Sequence, residues 1–302
     1  MQSSSSLPRR RSGVRRAEFR FVATVLIPTF IFYGIFRFYP VMYAFYMSLH
    51  DWRLLRSEQF FVGFDNYRTI LMDPLFHKVV LNTFYFAFGT TLLGTVLALT
   101  LAILMNPIRR GSSLLRLIYF LPVMTSTIAA ATIWLWLYQT RFGLINQLLV
   151  MVGLPRVPWL QSADWAMPSI IVMSVWASVG FTTIILLAGL RGIPVSFYEA
   201  ASIDGARPLQ QVRYITIPLL SPVLAFVITT GLIGGFNVFQ QVYLMTSGGP
   251  YNSTRTISLH IYDYAFLRLF MGSAASMAFV MFSLVIVMTL VQMRIQRRDW
   301  EF

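Results

Sequence analysis

Ser196-Phe-Tyr-Glu-Ala-Ala-Ser-Ile-Asp-Gly-Ala-Arg-Pro-Leu-Gln-Gln-Val-Arg-Tyr-Ile-Thr-Ile-Pro218 is an amphipathic, helix-forming insert between two strongly apolar runs. A segment of this kind lies at a membrane surface, with its neighbours passing through the membrane. Ser196 followed by Glu199 reads as a capping box, in which hydroxyl and carboxylate each accept from the other residue's amide. A helix started there runs through Ala200, Ala201 and Ile203 until Gly205 supplies the left-handed residue that ends it. Pro208 occupies the favoured first-turn position of a second helix, which Pro218 breaks as the next apolar run begins. The expected product is a helix–turn–helix bracket that Glu199 orders and Gly205 shapes. On these residues alone, a plain surface connector would read the same way.

Outward from the insert, apolar runs near the 20 residues needed to cross a bilayer occur at about 21–48, 79–105, 114–138, 166–190, 219–245 and 270–293. The first holds Arg37 and Pro40 and is expected to tilt or kink. The third and fourth are punctuated by Pro122 and Gly180, as membrane helices tolerate. Composition agrees: 57% of the 302 residues are hydrophobic and 12% charged, about half the charge of a soluble domain. The fold class expected is all-α, a membrane protein of six transmembrane helices. Residues 1–20 read as a basic, disordered tail, 21–295 as the membrane domain with the insert at 192–218, and 296–302 as a second tail.

Six crossings place both termini on one side. Fifteen of the basic residues fall on that side, including Arg9, Arg10, Arg11, Arg109, Arg110, Arg191, Arg207, Arg213, Arg297 and Arg298. Eight fall on the other, interspersed with Asp51, Glu58, Asp65, Asp73, Asp164 and Asp263. The positive-inside rule then puts both termini and the insert in the cytosol. The net charge of +13 is thereby topology, and nucleic acid is not expected as a partner. On the outer side, Phe61–Tyr67 and Asp73–Phe76 read as a turn followed by a short amphipathic helix, and 139–165 as a folded loop.

The chain carries no visible engine. A phosphate-cradling loop needs Gly-x-x-x-x-Gly-Lys-Ser/Thr, and the only lysine, Lys78, has no such context. Ion-coupled carriers place carboxylates or histidines inside the membrane, yet the six runs contain no Asp, Glu or His. That also argues against a membrane-embedded enzyme. Cysteine is absent, and no metal site is expected. Energy is expected to come from a partner.

Glu199-Ala-Ala-x-x-Asp-Gly-Ala206, followed by Ile217-Pro218, resembles the EAA motif of binding-protein-dependent ABC importer permeases. Phe61–Tyr67, Asp73-Pro74, Phe120-Leu-Pro122, Phe142–Asn146, Ala188-Gly-Leu190, Ile193-Pro194 and Tyr243–Pro250 resemble its sugar-permease branch, which includes the maltose and glycerol-3-phosphate systems. From about residue 20 to 295, order and spacing are similar to the first-permease, six-helix form. The resemblance implies the type I (MetI-like) permease fold in a bacterial or archaeal inner or plasma membrane. It implies a second permease, two ATPase subunits that bind the ATP and magnesium, and an extracytoplasmic solute-binding protein. It also implies that Glu199, Ala200, Ala201, Asp204, Gly205 and Ala206 couple to the ATPase, so that the chain transmits force without catalysis.

Carbohydrate needs aromatic faces with amides and hydroxyls, since an apolar pocket leaves its hydroxyls unpaired. Candidates for the substrate path are Thr127 in the third run, Ser174, Trp176, Ser178 and Phe181 in the fourth, and Asn237, Gln240 and Gln241 in the fifth. Thr125 belongs to the same group. These groups could equally bond across helices. Sugar, oligosaccharide and polyol phosphate all remain open as cargo. The alternatives to an importer permease are a self-contained secondary carrier or channel for a small polar solute and a membrane-embedded enzyme.

Overall fold

The computed structural model describes residues 11–107 and 112–296. Of the expected tails, residues 1–10 and 297–302 lie outside the described residues, as do Arg109 and Arg110 of the charge count. Residues 11–20, expected to be disordered, instead belong to the first helix, α1 (Arg11–Tyr33). Arginine, alanine and glutamate are good helix formers, and the apolar run that follows supplies the nucleus they extend. A π-helical turn over Gly34–Phe38 joins α1 to α2 (Tyr39–Ser48). Pro40 has no amide hydrogen for the preceding turn, and the irregularity expected around Arg37 is this widened turn in an otherwise continuous apolar stretch.

Two short strands, β1 (His50–Asp51) and β2 (Phe60–Phe61), pair antiparallel. The turn at Gly63 and helix α3 (Asp65–Met72) follow. Asp73 Oδ1 accepts the Leu75 amide at 2.9 Å and starts α4 (Pro74–Met105). Next come α5 (Ser112–Met124), α6 (Thr127–Leu137) and α7 (Leu144–Met151). They are followed by α8 (Ala163–Arg191), α9 (Val195–Ile203) and α10 (Pro208–Gln211). A second π-helical turn (Val212–Thr216) leads to α11 (Ile217–Leu219), α12 (Ser221–Phe236) and α13 (Gln240–Thr246). The described chain ends with α14 (Ile257–Tyr262), a third π-helical turn and α15 (Met271–Gln296).

Among the described residues, four segments are single helices long and apolar enough to cross a membrane: 22–48, 74–105, 163–191 and 271–294. The other two expected spans are bent. Residues 117–124 and 127–137 meet at 106°, with the break at Thr125–Ser126, where Ser126 is extended, and not at Pro122 inside α5. A Cβ at Gly180 would collide with the Tyr119 carbonyl, so this glycine lets α5 lie directly on α8. Residues 208–219 and 221–236 meet at 71°. Pro218 therefore does not end the second bracket helix, which turns only after Leu219; the π-helical turn just before it already departs from the regular ladder that a missing amide would break. The fifth run breaks a second time at Asn237–Phe239, ahead of α13.

α4 packs between α8 and α12, and α15 packs on α2 and α12. Two apolar clusters hold this arrangement. One contains Phe86, Met167, Ile170, Met173, Val242 and Leu259; the other contains Ala98, Ala102, Leu186, Leu190, Leu220 and Val227. At the end away from α9, the loops are tied to the helices and to each other. Lys78 Nζ donates to the Tyr251 carbonyl, and the Ile257 amide donates to Thr83 Oγ1. Asn146, fully buried, makes four hydrogen bonds that close the 139–162 loop.

Candidate coupling bracket and substrate cavity

The bracket forms, but its cap differs from the expectation. Pro194, extended at ψ 134°, is the N-cap of α9, and its carbonyl accepts the Phe197 amide at 3.3 Å. This moves the cap two residues earlier, so Ser196 sits inside the first turn and makes no capping box with exposed Glu199. Half of such a box occurs later, where Gln210 Oε1 accepts the Arg207 amide at 2.7 Å at the start of α10.

The other end of α9 is as expected. Gly205 has φ +78°, the Ala206 amide donates to the Ala201 carbonyl at 2.8 Å and the Gly205 amide to that of Ser202 at 3.1 Å. This pair of bonds is the Schellman termination, which needs the left-handed residue. An added Cβ at Gly205 would meet nothing within 4 Å, so backbone conformation alone calls for glycine there. Ala200 and Asp204 are exposed, and Ala201 and Ala206 are half-buried. Around them Ile203 is 87% and Leu209 79% exposed, an apolar surface on a polar loop.

The residues that stiffen the bracket escaped the sequence reading. Tyr198 Oη and Thr216 Oγ1 are 3.0 Å apart, joining α9 to the π-helical turn. Gln211 Nε2 donates to Ser202 Oγ at 3.0 Å, and that hydroxyl donates to the Tyr198 carbonyl at 2.7 Å. Tyr198 and Leu219 pack on the cluster containing Ala98, Leu190, Ile193, Leu220 and Val227. That cluster belongs to α4, α8 and α12. The signal available in sequence was the hydroxyl and amide run at Tyr198, Ser202, Gln211 and Thr216, but what it closes on is set by the fold.

The same three helices enclose a cavity of about 380 Å³. Five of the expected path residues line it: Ser174, Ser178 and Phe181 from α8, Asn237 at the end of α12, and Gln241 in α13. Ser174, Ser178 and Phe181 fall at i, i+4 and i+7, one face of a helix. Trp176 stands 200° around from Ser174 at 100° per residue and instead packs edge-on against Trp134 at 5.6 Å. Thr127 and Gln240 also lie off the cavity, Thr127 just beyond the break before α6 and Gln240 exposed at the start of α13. The three amides are not on one helix, because the chain breaks between Asn237 and Gln240. Thr125, just past the end of α5, donates back to the Leu121 carbonyl at 3.3 Å.

The cavity also takes in Thr90, Thr91, Gly94 and Thr95 of α4, together with Thr230 and Gly234 of α12. In sequence these are small residues inside apolar runs. Their repeat at helical spacing on α4 (90, 91, 94, 95) is the signal that marks a polar face there. Among the described residues, no group of three or more His, Cys, Asp or Glu is placed to hold a metal ion.

Comparison with known proteins places residues 74–299 in a match to the family described as the binding-protein-dependent transport system inner membrane component. The chain is 34% identical over 286 residues to the trehalose/maltose transport system permease protein MalF of Thermococcus litoralis, covering 95% of this chain and 97% of that one. It is 32% identical to the sulfoquinovosyl glycerol transport system permease protein SmoG of Agrobacterium fabrum, covering 92% and 91%. In three dimensions it is similar to a chain of a bacterial ABC transporter involved in import of the acidic polysaccharide alginate. The TM-score is 0.82 at 24% identity, covering 96% of this chain and 100% of that one.

Proposed function

The chain belongs to the family of binding-protein-dependent transport system inner membrane components, and from that premise we infer that it forms, with a second permease, the path by which a carbohydrate enters the cell. Its fold is the type I (MetI-like) importer permease fold. Carbohydrate is the cargo class common to the names of MalF and SmoG. ATP and magnesium belong to two ATPase subunits, and an extracytoplasmic binding protein delivers the cargo. Both termini and the bracket face the cytosol, in accord with the charge count.

One observation carries the mechanism. The cluster that anchors the bracket and the walls of the cavity are built from the same three helices, α4, α8 and α12. A force applied at Ala200–Ala206 therefore reaches the cavity through close-packed side chains, which shift as units and do not deform continuously. In this reading Ile203 and Leu209 enter a cleft on the ATPase, and closure of the ATPase pair rocks the three helices between outward-open and inward-open states.

The test is uptake by the reconstituted assembly. Ile203→Arg, placing a charge on the exposed apolar tip, is expected to release the ATPase subunits on purification and to abolish ATP-driven sugar uptake. Co-purification of wild-type chain with no ATPase, or proton-driven uptake by the chain alone, would refute the reading in favour of a secondary carrier.

A further inference from the structure

A second cavity lies behind the bracket, between it and the helices that carry it, and has a volume of about 230 Å³. Ile103 and Asn106 at the end of α4 and Leu190 at the end of α8 form one wall. Tyr198, Gln211 and Thr216 of the bracket form the other. Leu190 belongs to the cluster that anchors the bracket, and Ile103 and Tyr198 pack on it, so this space interrupts the packing through which force would pass. Atoms facing a void have no partners on that side, and a bracket backed by one is held less firmly than a bracket backed by protein.

The hydrogen bonds around the cavity leave acceptor capacity on its walls. Thr216 Oγ1 donates to the Gln211 carbonyl at 3.4 Å, which uses its one hydrogen. Tyr198 Oη is then the donor in the 3.0 Å contact with Thr216 Oγ1, and its own lone pairs stay unspent. Gln211 Nε2 donates to Ser202 Oγ at 3.0 Å and to the Ala206 carbonyl at 3.3 Å, so the amide is oriented and its oxygen is the free end. Asn106, which is exposed, adds a second amide.

Size and charge narrow what could enter. An apolar cavity of roughly 150 Å³ holds a benzene ring, so about 230 Å³ takes one ring with polar substituents. It falls short of the roughly 300 Å³ at which drug-sized ligands begin to fit. Among the described residues, none lining the space carries a charge, and a charged group there would be desolvated without a counter-charge.

We propose that this cavity is an effector site for a small, uncharged, ring-sized molecule bearing hydrogen-bond donors, which fills the space behind the bracket and tightens the link between ATP hydrolysis and transport. Tyr198 Oη and Gln211 Oε1 accept from it, Asn106 bonds it from α4, and Ile103 and Leu190 pack on its ring. The proposal rests on the coupling reading above and adds a means of control to it.

The chain has no cysteine, so Val212→Cys, a near-isosteric change on the cavity wall, introduces a single thiol in the assembled transporter held in nanodiscs. The probe is 4-hydroxybenzamide, a neutral single ring with donors at both ends. Ligands of this size bind in the millimolar range, so about 10 mM probe is expected to slow methanethiosulfonate labelling at least about fivefold, relative to the assembly without the introduced thiol. The charged analogue 4-hydroxybenzoate at the same concentration is expected to leave the rate unchanged, and Asn106→Ala to lose most of the protection. In the wild-type assembly the probe is expected to raise sugar moved per ATP about twofold, less than the fivefold or more of a strong allosteric effector, because Tyr198 and Thr216 already stiffen the bracket. Ile103→Trp, which fills the space from α4, is expected to raise the same ratio without probe and to abolish the response to it. Equal labelling rates with and without 4-hydroxybenzamide overturn the proposal. So does equal protection by 4-hydroxybenzoate, or protection with no change in sugar moved per ATP. If the assembly hydrolyses ATP without moving any sugar, the path reading fails, while protection at Val212→Cys still decides whether the site exists.

Discussion

Replacing Asn146 with alanine removes four hydrogen bonds from one fully buried side chain. Nδ2 donates to the Thr140 carbonyl at 3.1 Å and the Val157 carbonyl at 2.9 Å. Oδ1 accepts the Val157 amide and Trp159 Nε1, each at 3.0 Å. At about 0.5–1.5 kcal/mol per bond the sum is roughly 2–6 kcal/mol. Val157 and Trp159 are only partly buried, so water reaches some of the abandoned groups, and the expected loss is about 3 kcal/mol. Trp159 packs against Tyr138 and Trp165 at 5.5 and 5.4 Å, so the loosened loop also frees part of the adjoining core. Asn146→Asp makes the test sharper. It keeps both accepted bonds but turns a second oxygen towards the two carbonyls, so at neutral pH it should destabilise at least as much as alanine. Protonation restores one donor, and acidification should therefore narrow its deficit while leaving that of Asn146→Ala unchanged. The assay is thermal unfolding of the detergent-purified assembly across pH, with limited proteolysis of 139–162 as a local readout. Melting and cleavage indistinguishable from wild type in both variants would refute the account of this loop.

Three further outcomes are expected. Gly205→Ala should cost about 1–2 kcal/mol from the left-handed backbone alone, since space is free around it; Gly205→Asn should cost less and Gly205→Val more, read as ATP-driven uptake in that order. Tyr198→Phe removes the bond to Thr216 and should weaken the coupling of ATP hydrolysis to uptake while leaving binding of the ATPase subunits intact, measured as sugar moved per ATP. His260, fully buried in α14, has its pKa lowered to about 4 by burial and then by Arg255. Its folded pKa lies below the unfolded value of 6.5, so the neutral ring contributes stability that is fully present above 6.5 and is lost as pH falls towards 4. His260→Phe should flatten melting temperature against pH across that window.

The six apolar runs, the bracket and its glycine were legible because each is local. Twenty apolar residues have nowhere to be but lipid or a core, and a Gly205 flanked by helix formers has one common backbone solution. The cap was misread because Ser196 and Glu199 have the right spacing but Pro194, one residue before α9, offered a competing start. Candidate path residues were legible by type but sorted only in part: Ser174, Ser178, Phe181, Asn237 and Gln241 reach the cavity, whereas Trp176 fails on helical phase. Gln240 and Thr127 lie just past breaks that no proline marks.

Residue chemistry by itself determined that this chain crosses a membrane and that one polar bracket interrupts its spans. Each follows from the hydrophobic cost of short-range composition, which does not depend on what lies across the fold. Tertiary structure decided where the third and fifth spans bend, that the bracket and cavity share three helices, and that Thr91 is buried without a partner against Gly231 of α12. Those depend on which helices meet, and an unpaired hydroxyl or an empty space beside a glycine exists only once its neighbours are in place.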